Sequence, residues 1–144
     1  MFVCNKNFDI SNELKEMYAA LISSRGKLKS GVEIHYRAKI QEHFVLDHGY
    51  DTVIGETTEI GNHCYILGGV ILGARGISSN DNIKWHPTIG NNVEIGAFSN
   101  ILGPVNIDDN TFIGPHCTIY RKYPQNEKVI NQQYKHQIAT VREQ

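Results

Sequence analysis

Isoleucine or leucine recurs at every sixth position along much of this 144-residue chain. One uninterrupted series occupies Ile54, Ile60, Ile66 and Leu72, and a second runs in steps of six from Ile89 to Ile119. A helix places apolar residues every three to four positions and a half-buried strand every two, so a period of six fits neither. The period is typical of hexapeptide repeats, which predicts a parallel β-helix.

Two other positions of the hexad support this prediction. Glycine often follows the aliphatic residue, where we expect the chain to turn a corner that needs glycine's backbone freedom. A small or β-branched residue stands four positions after the aliphatic one and is expected to point inward. These residues are Thr58, Cys64, Val70, Val93, Ser99, Val105, Thr111 and Cys117. The two cysteines in this set are therefore interpreted as reduced core thiols, not as a disulfide or metal ligands.

The rhythm slips twice. Leu46 and Ile54 are eight positions apart, and Leu72 and Ile89 are seventeen apart. The longer gap, between Leu72 and Ile89, contains residues that the repeat does not need, which predicts a loop over residues 74–85. Loops that leave a rigid scaffold commonly carry binding and catalytic residues. A histidine accompanies each slip, His48 beside the first and His86 at the end of the second.

The length predicts one domain with three segments. Residues 1–30 form a helical segment, 31–120 the β-helix and 121–144 a polar tail. A helix is predicted over residues 9–24, capped by Ser11 and ended by Arg25 and Gly26. Its apolar stripe is expected to pack against the end of the β-helix.

Composition excludes some classes of function. The net charge of −1 gives no reason to expect a nucleic-acid partner. No apolar stretch is long enough to span a membrane. The first residues lack the apolar region of a signal peptide, so a cytoplasmic location is expected.

Four short motifs lie within this pattern: G-V-E-I-H at 31–35, L-D-H at 46–48, V-I-G-E-T at 53–57 and H-P at 86–87. In this order and spacing, over about 90 residues, the chain resembles serine O-acetyltransferases. The resemblance implies a left-handed β-helix that assembles as a homotrimer, with active sites between subunits. It also implies transfer of an acetyl group from acetyl-CoA to the hydroxyl of serine.

The resemblance assigns three catalytic residues. An alcohol needs a base to remove its proton as it attacks a thioester, and the matching base is His48. The residue that would orient this base is Glu33, where the family has Asp. His86 matches a second histidine that comes from the neighbouring subunit and lines the acceptor pocket.

The acceptor contacts depart from the family in one important respect. Asp47 matches the residue that binds the acceptor's amino group. The family places Arg directly before the second histidine, to pair with the acceptor's carboxylate, but this chain has Trp85 there. Arg75 or Lys84 could supply the missing cation from the loop. Since an indole cannot pair with a carboxylate, we expect free serine not to be the best acceptor.

Acetyl-CoA in the family lies in the groove between two subunits, along small residues at the coil edge. The matching positions are Gly73, Ala74, Gly76, Ala97, Phe98 and Pro115. Phe98 stands where the family usually has Gly, and Pro115 where it usually has a small residue. Most of the family's N-terminal helical domain is also missing, which predicts a trimer in place of a hexamer.

Two other functions remain open. The family of trimeric, metal-dependent carbonic anhydrases has the same fold, and His43, His48 and His86 could complete a zinc site in such a hydratase. A non-catalytic trimeric scaffold is the other alternative. The acetyltransferase interpretation expects no metal.

Overall fold

The computed structural model describes residues 11–76, 84–121 and 128–130. In these ranges one helix, α1 (Asn12–Ser30), precedes a series of very short strands. The strands are β1 Glu33–Ile34, β2 Lys39–Ile40, β3 Val45–Asp47, β4 Val53–Ile54, β5 Glu59–Ile60, β6 Tyr65–Leu67, β7 Ile71–Gly73, β8 Thr88–Ile89, β9 Glu94–Ile95, β10 Asn100–Leu102, β11 Asn106–Ile107, β12 Phe112–Ile113, β13 Thr118–Ile119 and β14 Lys128–Val129.

The strands form three parallel sheets, one for each side of a prism. Sheet A has the order β1-β4-β7-β10-β13, sheet B β11-β8-β5-β2, and sheet C β14-β12-β9-β6-β3. Each coil visits A, B and C in turn, so β1–β3 form coil 1, β4–β6 coil 2 and β7–β9 coil 3. Ile34 pairs with Ile54 and Ile54 with Leu72, so inward aliphatic residues stack from coil to coil. The predicted parallel β-helix is confirmed.

The core is the column of aliphatic side chains that the six-residue period marks. At most 2 % of each of the following side chains is exposed: Ile54, Ile60, Ile66, Leu72, Ile89, Ile95, Ile101, Ile107, Ile113 and Ile119. Burying each contributes roughly 1.5–3 kcal/mol. The small residues predicted to point inward are buried as well, and Cys64 and Cys117 are free thiols among them.

The expected reason for glycine after the aliphatic residue is wrong. Gly61, Gly90 and Gly96 do not have positive φ. They are needed because the next coil passes directly over them: a Cβ on Gly61 would lie 2.5 Å from the Gly90 carbonyl oxygen. The left-handed conformation falls instead three residues after the aliphatic one, at His43, His63, Asn92, Phe98, Asn110 and His116.

The helix differs from its predicted bounds. Ser11 caps it as expected, since its side chain accepts from the Leu14 N–H. It then continues past Arg25 and Gly26 to Ser30, because an interior glycine costs a helix only about 1 kcal/mol. It ends where Gly31 adopts φ 69° and donates its N–H to the Lys27 carbonyl. Residues 9 and 10 lie outside the described residues.

The apolar stripe of α1 does not pack as expected. Met17, Tyr18, Leu21 and Ile22 are each about half exposed, and only Ala19 is buried. A cavity of about 310 Å³ lies between the helix and coil 1, with Ala19, Ile22 and Ser23 on its helical side. The helix is joined to coil 1 mainly by polar contacts, such as the ion pair between Glu16 and Arg37.

Sheet C continues beyond the last hexad. Strand β14 pairs in parallel with β12, so Lys128–Val129 adds to the prism although it belongs to the predicted polar tail. Residues 122–127 and 131–144 of that tail lie outside the described residues. Within the described ranges, no helix combines the length and apolar character that a membrane span needs.

Candidate active site

The predicted site residues lie at two different edges of the prism. Each edge is named here by the sheets that it joins. Asp47 ends β3 and His48 follows it at the C–A edge, whereas Trp85 and His86 end the loop between β7 and β8 at the A–B edge. The two predicted catalytic histidines of one chain therefore do not share a pocket.

At the C–A edge, His48 is prominently exposed. Its side chain is 87 % exposed, and its backbone is left-handed with a φ of 49°. Its Nε2 lies 3.6 Å from Oδ1 of Asp47. The other oxygen of Asp47 accepts a hydrogen bond from the Tyr65 hydroxyl, which raises the pKa of Tyr65. Asp47 is thus held between a histidine and a phenol.

Glu33 lies at the same edge but has a different partner. It begins β1, and its carboxylate pairs with the Lys27 ammonium of α1. No hydrogen bond joins Glu33 to His48 among the described contacts, where His48 has Asp47 as its carboxylate neighbour. The orienting role expected of Glu33 stays a prediction.

At the A–B edge, His86 is buried and held by Thr57. The Thr57 backbone N–H donates to Nδ1 of His86 at 3.1 Å, and the Thr57 hydroxyl lies 2.9 Å from the same nitrogen. Burial lowers the pKa of His86, with smaller lowering contributions from His35 and Lys84 and an opposing one from Glu56. The ring is thus kept neutral over a wider pH range than a free histidine.

Gly55 makes room for this ring. A Cβ added to Gly55 would lie 2.0 Å from Cδ2 and 2.2 Å from Nε2 of His86. Such contacts are impossible, so any side chain at residue 55 would displace the imidazole. The V-I-G-E-T motif therefore supplies both the space for His86 and, through Thr57, its hydrogen-bond partners.

The two loop cations expected to compensate for the missing arginine, Lys84 and Arg75, have other contacts within the chain. Lys84 Nζ donates to the Thr57 carbonyl at 2.6 Å and lies 3.6 Å from Glu59. The Arg75 guanidinium lies 5.7 Å from the centre of the Tyr120 ring, which follows β13 in a later coil. Trp85 stays close to the histidine, with 6.5 Å between the ring centres of Trp85 and His86.

The predicted cofactor residues are also divided between the two edges. Gly73, Ala74 and Gly76 lie at the A–B edge, and Ala97, Phe98 and Pro115 at the C–A edge. Phe98 is 56 % exposed and stacks on His116 at 5.3 Å. Its ring also covers Gly69, since a Cβ there would lie 2.3 Å from Phe98 Cδ1. Phe98 therefore places an exposed aromatic ring at the C–A edge.

Sequence reasoning missed Tyr65 and Thr57. Tyr65 precedes the inward Ile66 and carries no sequence signal beyond an outward aromatic side chain. Thr57 was part of a motif used for the resemblance, but its contact with His86 spans 29 residues of chain. Only the stacking of coils brings such partners together.

The histidines proposed for a metal site are not brought together. His43 stacks on His63 at the B–C edge, with ring centres 4.4 Å apart, while His48 lies at the C–A edge. In the part of the chain that the structure describes, no group of three or more His, Cys, Asp or Glu side chains could hold a metal ion.

Comparison with known proteins agrees with this architecture. Residues 86–121 match the family model described as bacterial transferase hexapeptide (six repeats). The serine acetyltransferase of Synechococcus elongatus is 40 % identical over 110 residues, which cover 76 % of this chain and 44 % of that protein. The serine acetyltransferase of Staphylococcus aureus is 38 % identical over 119 residues, which cover 83 % of this chain and 54 % of that protein.

Solved structures give the same result. Serine acetyltransferase isoform 3 from Entamoeba histolytica, in complex with cysteine, superposes with a TM-score of 0.77 at 34 % identity. The match covers 90 % of this chain and 46 % of that one. The chain thus spans about half the length of the relatives it matches.

Proposed function

Because the chain belongs to the serine acetyltransferase family, we propose that it is an acetyl-CoA-dependent O-acetyltransferase whose active sites lie between the subunits of a homotrimer. The observation that carries this proposal is the placement of the two histidines. His48 stands exposed beside Asp47 at one edge of the prism, and His86 is held by Thr57 at another. Prisms packed side by side around a threefold axis would bring the C–A edge of one against the A–B edge of the next.

In the proposed reaction, His48 accepts the proton of the acceptor's hydroxyl as the oxygen attacks the thioester carbonyl carbon. A C–O bond forms, and the C–S bond of acetyl-CoA then breaks. The proton held by His48 passes to the departing thiolate. His86 faces this centre from the neighbouring subunit and donates a hydrogen bond to an oxygen there.

The acceptor is proposed to be a hydroxylated amine that lacks a free carboxylate. Asp47 supplies a negative charge for an amino group. Trp85 occupies the place from which the family's arginine would pair with a carboxylate, and the described loop cations Lys84 and Arg75 have other contacts. Burying an unpaired carboxylate costs several kcal/mol, so amides or esters of serine, or larger hydroxy-amines, fit better.

The test is release of free thiol from acetyl-CoA in the presence of a panel of acceptors. The panel contains L-serine, serine amide, serine methyl ester and larger hydroxy-amines, and product O-acylation is checked by mass spectrometry. We expect a higher kcat/KM for the amide or ester than for L-serine. Thiol release with none of the acceptors would favour the non-catalytic scaffold. A kcat/KM for L-serine equal to that for the amide or ester would mean that Trp85 does not determine acceptor specificity.

A further inference from the structure

Thr57 makes an unusual number of contacts with the segment that carries His86. Its hydroxyl oxygen accepts hydrogen bonds from the backbone N–H groups of Trp85 and His86, both at 3.0 Å. The same hydroxyl lies 2.9 Å from His86 Nδ1, and the Thr57 backbone N–H is 3.1 Å from that nitrogen. One residue thus fixes both the backbone and the ring of the histidine.

These contacts determine where the ring's proton sits. A backbone N–H can only donate, so Nδ1 of His86 must accept and carries no proton. Because the Thr57 oxygen already accepts from two N–H groups, its own hydrogen is directed to Nδ1. The neutral ring must then carry its hydrogen on Nε2. Protonating Nδ1 as well would set an N–H against the Thr57 backbone N–H.

The charges around the ring support the neutral form. His86 is buried, and Lys84 and His35 both disfavour a positive charge on it. Glu56 would favour that charge, but its carboxylate is already paired with Arg37 at 2.8 Å. Burial and the two hydrogen bonds to Nδ1 therefore favour the neutral ring more than the Glu56 carboxylate, which is shared with Arg37, favours the charged one.

We propose that Thr57 is a positioning residue that locks His86 as the Nε2–H tautomer, so that His86 enters the reaction as a hydrogen-bond donor and not as a second base. Its catalytic meaning rests on the function proposed above, whereas the tautomer itself is a property of the folded protein. The Nε2–H group would meet the acceptor's oxygen or the thioester oxygen, where negative charge develops. Thr57 does not itself touch the substrate.

The experiment compares Thr57→Val with Thr58→Val. The two substitutions are isosteric and adjacent, but the Thr58 hydroxyl is buried without a hydrogen-bond partner among the described residues. Nitrogen NMR of histidine-labelled protein, with His86 assigned by His86→Gln, reads the tautomer and the pKa directly. Thr57→Ser, which keeps the hydroxyl, is the rescue variant.

We expect wild-type His86 to be the Nε2–H tautomer and Thr57→Val to raise its pKa toward the ordinary value, since one donor to the neutral form is lost. kcat should fall about ten- to hundredfold, with a smaller change in the KM for acetyl-CoA. Thr58→Val and Thr57→Ser should resemble wild type in both readouts.

Two outcomes would overturn the proposal. One is an Nδ1–H tautomer in the wild-type protein, which needs no variant to be seen. The other is an equal effect of Thr57→Val and Thr58→Val on the pKa of His86 and on kcat. If the tautomer is as expected but no acceptor is acylated, the positioning contact stands and the proposed function fails, so the two results are distinguishable.

Discussion

At the scale of single residues, His48 and His86 differ in their exposure to solvent and in their hydrogen-bond partners. His48 is 87 % exposed beside a carboxylate, whereas His86 is buried with two hydrogen-bond donors at Nδ1. An exposed histidine beside a carboxylate suits the role of a base, whereas a buried histidine whose Nδ1 only accepts suits the role of a hydrogen-bond donor. This contrast is the physical ground for assigning proton abstraction to His48.

Replacing His48 by Asn tests that assignment. A general base typically contributes two to four orders of magnitude, so kcat should fall by about that factor. The matched control is His43→Asn, since His43 is also an exposed histidine of coil 1 with positive φ, 58° against 49° for His48. Asn tolerates this conformation, so both variants should fold. A His48→Asn rate within a few-fold of His43→Asn would remove His48 from the mechanism.

The pH dependence of stability tests the burial of His86. Its pKa is lowered in the folded protein, so below about pH 6.5 the unfolded chain binds more protons. The free energy of unfolding contributed by this group is therefore present at neutral pH and is lost as pH falls toward the folded pKa. We expect the Tm of wild type to drop more steeply with acidity than that of His86→Gln, at one fixed protein concentration. Parallel curves would contradict this.

Trp85→Arg tests the proposed specificity. A guanidinium next to His86 would restore a partner for a carboxylate, so kcat/KM for L-serine should rise relative to that for serine amide. Trp85→Leu is the control, since it removes the indole without adding a charge. If Trp85→Leu raises the L-serine preference equally, the indole acts only by its bulk.

At the scale of elements, Gly26 and Gly31 have opposite roles in helix α1. Gly26 is interior to α1, and a Cβ there would meet nothing within 4 Å. Gly31 is the left-handed cap, and a Cβ there would lie 2.9 Å from the Tyr50 ring. Gly26→Ala should therefore stabilise by about 0.5–1 kcal/mol, and Gly31→Ala should destabilise by at least about 1–2 kcal/mol. Urea denaturation of both variants measures the difference, and equal effects would contradict the cap.

At the scale of the whole molecule, the division of the site between two edges predicts a homotrimer with shared sites. His48→Asn and His86→Gln should each be nearly inactive alone. Mixed trimers of the two should regain activity, because about a third of their interfaces would unite the intact His48 of one chain with the intact His86 of another. Light scattering checks the trimer. No recovery on co-expression, or a monomer or stable hexamer in solution, would contradict this arrangement.

The sequence by itself determined the fold and its inward residues. A strict period of six allows one way to bury an unbroken aliphatic column, so the coils and the core from Ile54 to Ile119 followed directly. It also drew attention to His48, which lies beside the first interruption of the six-residue period. The helix was found, but its end was misplaced, since Gly26 is tolerated inside it and Gly31 ends it.

Only the tertiary structure decided how residues of different coils meet. The contact between Thr57 and His86 joins residues 29 positions apart, and that between Tyr65 and Asp47 joins residues 18 apart. Neither contact is marked by a short sequence motif, because the outward side chains of one coil contact residues of the coils above and below it. The same holds for Gly61, Gly90 and Gly96, where a side chain is excluded by the backbone of the next coil. The six-residue period can be read from the sequence because it is a local pattern. The outward side-chain contacts cannot, because they form between residues of different coils.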